Sequence, residues 1–222
     1  MKHKYFPKAI VGITILIMLA LLPLQGNCQE NEWNTWTSIE VSKQIAKKLD
    51  FSLSPEIRFT DQFEVDEYFI EAGLEYRLFD FLKVGGKYRY LVNERETKST
   101  EYFNRVAFDL KGNYEIKRFD FQLRTRYTNY NELDTDNDSK DNYLRYRLKL
   151  DYDLPKSKIT PNVGIEFFHQ LKDQEIDKVR YTIGAEYKIN KHHKVGLDYL
   201  VQDYLKDDYR KNIIALEYKI SF

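Results

Sequence analysis

The sequence predicts an all-β chain, an antiparallel up-and-down barrel that crosses a membrane on its strands. Three observations lead there. Apolar and polar residues alternate with a period of two from Trp33 to Phe222. The connections between these runs alternate between short turns and longer polar loops, as in outer-membrane barrels. The chain also opens with a segment built for export.

That segment comes first. Lys2, Lys4 and Lys8 precede an apolar stretch over 9–22, which Pro23 ends. The stretch is shorter than the roughly 20 residues a spanning helix needs and suits a signal peptide. Gly26 and Cys28 are small residues at the −3 and −1 positions of a cut before Gln29. Cys28 could instead be a lipid acceptor, although Gln25-Gly26-Asn27 is a poor lipobox. The expected division is a signal peptide over 1–28 and a single barrel domain over 29–222. Removal of three lysines leaves 32 basic and 35 acidic side chains, a net charge near −3.

The strands follow in order. A run near 33–45 is followed by Leu49, Phe51, Leu53, Pro55, Ile57 and Phe59, alternating with Ser52, Ser54, Glu56 and Arg58. Tyr68, Ile70, Ala72, Leu74 and Tyr76 alternate with Glu67, Phe69, Glu71 and Glu75. Runs near 82–93, at Val106-Phe108-Leu110 and at Phe119-Phe121-Leu123 continue the pattern. Leu144-Tyr146-Leu148-Leu150 comes next, then runs near 161–170, at Val179–Ile189, near 194–202 and near 212–222. Eleven runs are visible. Single-chain bacterial barrels usually have an even number of strands, so about 12 are expected, with 10 as the fallback. Short turns fall near 46–48, 79–81, 116–118, 155–157 and 190–192, and longer loops at 61–66, 93–101, 131–142, 172–177 and 206–211.

Composition narrows the class. Aromatics are 15% of the chain, charged residues 32%, and Lys+Arg 35 balance Asp+Glu 35. Balanced charge argues against a nucleic-acid binder, and one cysteine excludes a disulfide scaffold or a multi-cysteine metal site. The apolar face is expected to meet lipid, with Tyr76, Tyr90, Tyr114, Phe119, Tyr127, Tyr152, Tyr187 and Tyr218 in girdles at its edges. Tyr218-Lys219-Ile220-Ser221-Phe222 ends the chain in a strand on an aromatic residue. That ending resembles the signal read by the barrel-assembly machinery. The expected location is the bacterial outer membrane, with lipids and that machinery as partners, no nucleic acid, and a monomeric state favoured.

Several strand segments carry a further resemblance. They are Trp36-Thr37-Ser38-Ile39-Glu40, Glu75-Tyr76-Arg77, Tyr88-Arg89-Tyr90, Arg124-Thr125-Arg126-Tyr127 and Leu144-Arg145-Tyr146-Arg147, with Pro161–Phe168 and Arg180-Tyr181-Thr182-Ile183-Gly184. From about Trp33 onward the chain resembles a family of outer-membrane barrels common in Bacteroidota, the domain of unknown function numbered 2490. The resemblance implies location and fold, and brings no activity or binding residues.

The lumen-facing set is rich in both signs, and two readings of it stand. The charges could pair into a network that fills the lumen, because buried charge needs partners. Alternatively Arg124, Arg126, Arg145 and Arg147, on adjacent strands, could form an anion-attracting wall in a narrow small-solute pore, with glutamates of the 67–77 strand opposite. An outer-membrane lipid-modifying enzyme is a further alternative, as is a secreted soluble β-barrel binding protein. For catalysis His169 is the one plausible base and Ser139 a weakly supported nucleophile, so no enzyme activity is expected. His192 and His193 fall in a short turn. Asp134, Asp136 and Asp138 alternate as calcium ligands could, but without the Gly and distal Glu of an EF-hand loop. No metal or other cofactor is expected.

Overall fold

The protein is described by a computed structural model, which covers residues 30–94, 100–132, 142–206 and 208–222. The expected signal peptide with Cys28, and the loop carrying Asp134, Asp136, Asp138 and Ser139, lie outside the described residues.

Each alternating run forms a strand. In chain order these are β1 (Glu30–Ala46), β2 (Leu49–Phe59), β3 (Val65–Phe79), β4 (Leu82–Asn93), β5 (Glu101–Ile116) and β6 (Phe119–Glu132). They continue with β7 (Asn142–Tyr152), β8 (Ile159–Gln170), β9 (Glu175–Lys188), β10 (His193–Tyr204) and β11 (Tyr209–Ser221). Sequential neighbours pair antiparallel all the way round, and β1 closes the barrel on β11. Closure leaves no sheet edge with unpaired backbone groups, the condition a sheet must meet in hydrocarbon.

Among the described residues there are eleven strands, one fewer than the even number expected. Parity is resolved at the seam. β1 runs parallel to β11 in unbroken register from Glu30↔Tyr209 to Ser42↔Ser221. An odd strand count needs one parallel pair to close, and the long β1 provides it without a twelfth strand.

The two faces invert the usual order of a water-soluble protein. Charged side chains are buried, with Arg105, Asp109 and Glu166 each at most 5% exposed, while Phe108, Leu123 and Leu197 are more than half exposed. Side chains alternate across a strand, so one face lines the lumen and the other, apolar face points outward. On β5 the lipid face runs from Asn104, which accepts a hydrogen bond from the Tyr88 hydroxyl at 2.5 Å, to the exposed Tyr114. Ten residues at about 3.3 Å each, tilted by about 40°, span roughly 25 Å, the height of an outer-membrane apolar band. Further Tyr–Asn pairs sit at the same end, Tyr127–Asn142 and Tyr199–Asn212. Aromatic pairs mark the other end, with Phe79 on Phe81, Phe119 on Tyr152 and His193 on Tyr218.

The short turns at 47–48, 80–81 and 117–118 all lie at one end, hereafter the turn end. Lys48 and Lys117 take left-handed backbone there, with φ of 67° and 57°. The first three connections at the opposite, loop end span 60–64, 94–100 and 133–141. The alternation of lengths fades in the second half. The connection at 153–158 is longer than those at 171–174 and 205–208, because Pro155 and Lys156 build a wider turn there. Gly184 marks the tightest strand approach: a Cβ there would lie 2.6 Å from the Leu197 carbonyl oxygen.

Candidate functional site

Strand alternation explains why arginines gather in the lumen. Arg124 and Arg126 are two residues apart on β6, as are Arg145 and Arg147 on β7, so all four point inward. The β6–β7 register sets Arg124 opposite Arg147 and Arg126 opposite Arg145. The row continues across the wall, with Arg147 opposite Glu166 on β8 and Glu166 opposite Arg180 on β9. Sequence reasoning placed the first four together; Arg180 completes the set, and its signal was the same inward register.

Pairing within the row is uneven. Glu166 holds three guanidinium groups, accepting from Arg124 Nη2 at 2.5 Å and Arg145 Nη2 at 3.0 Å, with Arg180 Nη1 at 3.8 Å. Arg180 also donates from Nε to Gln202 Oε1 at 3.0 Å. Arg126 is matched by its own carboxylate, a fork to Asp109 at 2.6 and 2.7 Å. Bidentate pairs of this kind are the strong ones. Arg147 lines the cavity but makes no ion pair or hydrogen bond among the described residues. The buried Nε atoms of Arg124 and Arg145 also lack acceptors among the described residues.

A second glutamate gathers cations on the other wall. Glu71 accepts from Lys87 Nζ at 2.7 Å and Arg89 Nη2 at 2.8 Å, with Arg105 Nη2 at 3.4 Å. The glutamates of β3 were expected to face the arginine wall. On that opposite wall Glu71 binds cations of its neighbours β4 and β5, and Glu75 binds Lys83 and Lys111.

Aromatic rings stand in the lumen among these charges, which the sequence alone did not single out. Arg58 lies 4.0 Å from the Trp36 ring centre and Arg89 3.4 Å from that of Phe69. Arg145 and Arg180 lie over Phe168 at 4.4 and 5.0 Å. Phe69 was visible as an aromatic in the polar register between Glu67 and Glu71, which was the available signal.

A cavity of about 660 Å³ occupies the lumen, lined by fourteen Arg and Lys against eight Asp and Glu. A smaller cavity of about 440 Å³ adjoins it toward the turn end. It adds Lys43 and Arg77 to the cations and Asp50, Glu75 and Asp109 to the acids, leaving sixteen against eleven. The lining of these two cavities is therefore net positive, although the whole chain is neutral.

The remaining candidates are scattered. His169 sits near the loop end of β8 opposite Leu144, in the register that faces outward. Ser139, its suggested partner, lies outside the described residues. His192 and His193 are at the turn end, bonded to the Ser221 carbonyl and the Tyr218 hydroxyl at 2.7 and 2.8 Å. No cluster of three or more metal-binding side chains exists among the described residues.

Comparison with known proteins adds family and neighbours. No curated protein matches the chain. Among solved structures the chain is similar to "KdgM porin" at 14% identity, covering 74% of this chain and 81% of that one, with a TM-score of 0.46. Residues 33–210 match the family described as "Protein of unknown function (DUF2490)". With most of the barrel inside that match, the chain belongs to the DUF2490 family.

Proposed function

We propose that the protein is a narrow outer-membrane pore that favours small anions. The turn end faces the periplasm and the loop end the exterior, as is usual for outer-membrane barrels. One observation carries the reading: the lumen cavity bears an excess of six cationic side chains over acids. A low-dielectric wall focuses such a field along the axis and concentrates anions there. Positive rings are a standard means of anion selection in pores. A second reading has its own support. Leu91, Leu200 and Ile213 are buried on the lumen side beside the ion pairs, which favours a filled, structural barrel. Both readings are non-enzymatic, with the barrel-assembly machinery as the partner that reads the strand ending at Phe222.

Single-channel recording of the purified protein in a planar bilayer decides between them. Under a KCl gradient the pore reading expects discrete steps and a reversal potential on the chloride side. A folded but silent barrel supports the filled lumen, and cation preference overturns the anion reading.

A further inference from the structure

We propose that the row Arg124–Arg147–Glu166–Arg180, with Arg145 above it, is a discrete oxyanion-binding site for a solute bearing a carboxylate or phosphate group. Four guanidinium groups surround one carboxylate, and only three of them pair with it. Arg124, Arg145 and Arg180 converge on Glu166, while Arg147 stands directly across from it without an ion pair among the described residues. The nearby Asp109 is already occupied by Arg126 in a two-point fork. The cluster thus carries three positive charges more than its own acid can match.

Burying charge without a partner is costly, so a second anion is favoured there. The chemistry of the donors selects its class. Guanidinium is a planar fork whose geometry matches carboxylate and phosphate oxygens, and it is less tightly hydrated than an ammonium. Arg147 offers a complete, uncommitted fork, and Arg124 and Arg145 each keep an unpartnered Nε. Chloride offers a single spherical acceptor, where a carboxylate or phosphate sets two oxygens against the two arms of the fork. Arg124, Arg147 and Arg180 share one register row across β6, β7 and β9, so the binding groups sit on rigid strands and not on loops.

The site is part of the same lumen as the proposed pore, and a solute reaches it through that lumen. Trp36 supplies a reporter. Its ring lies 5.1 Å from the Arg180 guanidinium, and it is one of only two tryptophans. Trp33, the other, packs outside on Tyr199, so Trp33→Phe leaves Trp36 as the sole emitter.

The test is a fluorescence titration of that variant, in detergent at constant ionic strength, replacing chloride by inorganic phosphate or, separately, by acetate. The expected result is a saturable change in Trp36 emission. Arg147→Gln should raise the half-saturating concentration about tenfold or more, the loss of one charge-assisted hydrogen bond. Arg147→Lys keeps the charge without the fork and should bind with intermediate strength. Lower half-saturation with phosphate assigns a phosphorylated solute, and with acetate a carboxylated one. A response that never saturates, or an Arg147→Gln or Arg147→Lys variant that titrates like its parent, overturns the site in favour of a diffuse positive field. A silent barrel that still binds phosphate saturably loses the pore and keeps the site. An anion-selective channel without saturable binding does the reverse.

Discussion

Arg147 and Leu148 are adjacent in sequence and opposite in environment. Arg147 faces the lumen beside Glu166, while Leu148 faces outward with 49% of its surface exposed. In water that exposure would waste an apolar side chain; in hydrocarbon it is the favoured state. Leu148 lies near the middle of β7, close to the centre of the apolar band. Leu148→Arg should therefore destabilise the barrel by about 2–4 kcal/mol in a bilayer. Urea unfolding in phospholipid vesicles measures this, and an unchanged midpoint would mean that Leu148 does not meet lipid. The same period of two makes much of the site legible in the amino-acid sequence. Arg-x-Arg on two adjacent strands could only place four guanidinium groups on one face. Which of them would be neutralised was not legible, because that depends on register. Asp109 meets Arg126 through the β5–β6 pairing, and Glu166 meets Arg180 through β8–β9. Nothing local in the sequence fixes either offset.

At the level of elements, strand boundaries followed the alternation closely. The run near 82–93 is β4, and the run near 212–222 begins three residues earlier as β11 (Tyr209–Ser221). Eleven alternating runs were visible and eleven strands form among the described residues; how they close did not follow from the sequence, because it turns on how the two ends meet. Periodicity is a within-strand property and carries no information on whether the closing pair is parallel or antiparallel. The parallel seam makes a sharp prediction. Ser38 and Glu217 are partners across it and both point into the lumen. With the native Cys28 replaced by Ser, a Ser38→Cys, Glu217→Cys pair should form a disulfide on mild oxidation, since neighbouring strands place Cα atoms within bonding range. The cross-link would show as a reduction-sensitive shift of the unfolded chain on a denaturing gel. A twelfth strand inserted between β1 and β11 would hold these positions about 10 Å apart, twice the spacing of neighbouring strands, and no bond would form.

For the molecule as a whole, an odd number of strands has a topological consequence. An even barrel brings both ends of the chain to one side of the membrane; eleven strands put them on opposite sides. Phe222 lies at the turn end, where its N–H bonds the Ser42 carbonyl at 3.0 Å and its ring stacks on His192. Glu30, the first residue of β1, pairs with Tyr209 just after the 205–208 connection at the loop end. With the turn end periplasmic, as proposed, Glu30 would reach the outer surface. A short epitope inserted before Glu30, downstream of the expected cleavage after Cys28, should be labelled by antibody on intact cells. The same epitope in the 153–158 turn should be labelled only after the outer membrane is breached. The reverse pattern would invert the barrel in its membrane. Labelling of both sites on intact cells would mean that one of them does not lie where the parallel seam requires. The solute path follows from the same geometry, because the larger, more cationic cavity includes Asn34, Tyr204 and Lys211 toward the loop end. An anion arriving from outside would meet this positive vestibule first and the Glu166 cluster next, so an exterior β1 terminus and an outward-facing anion entrance stand or fall on one orientation.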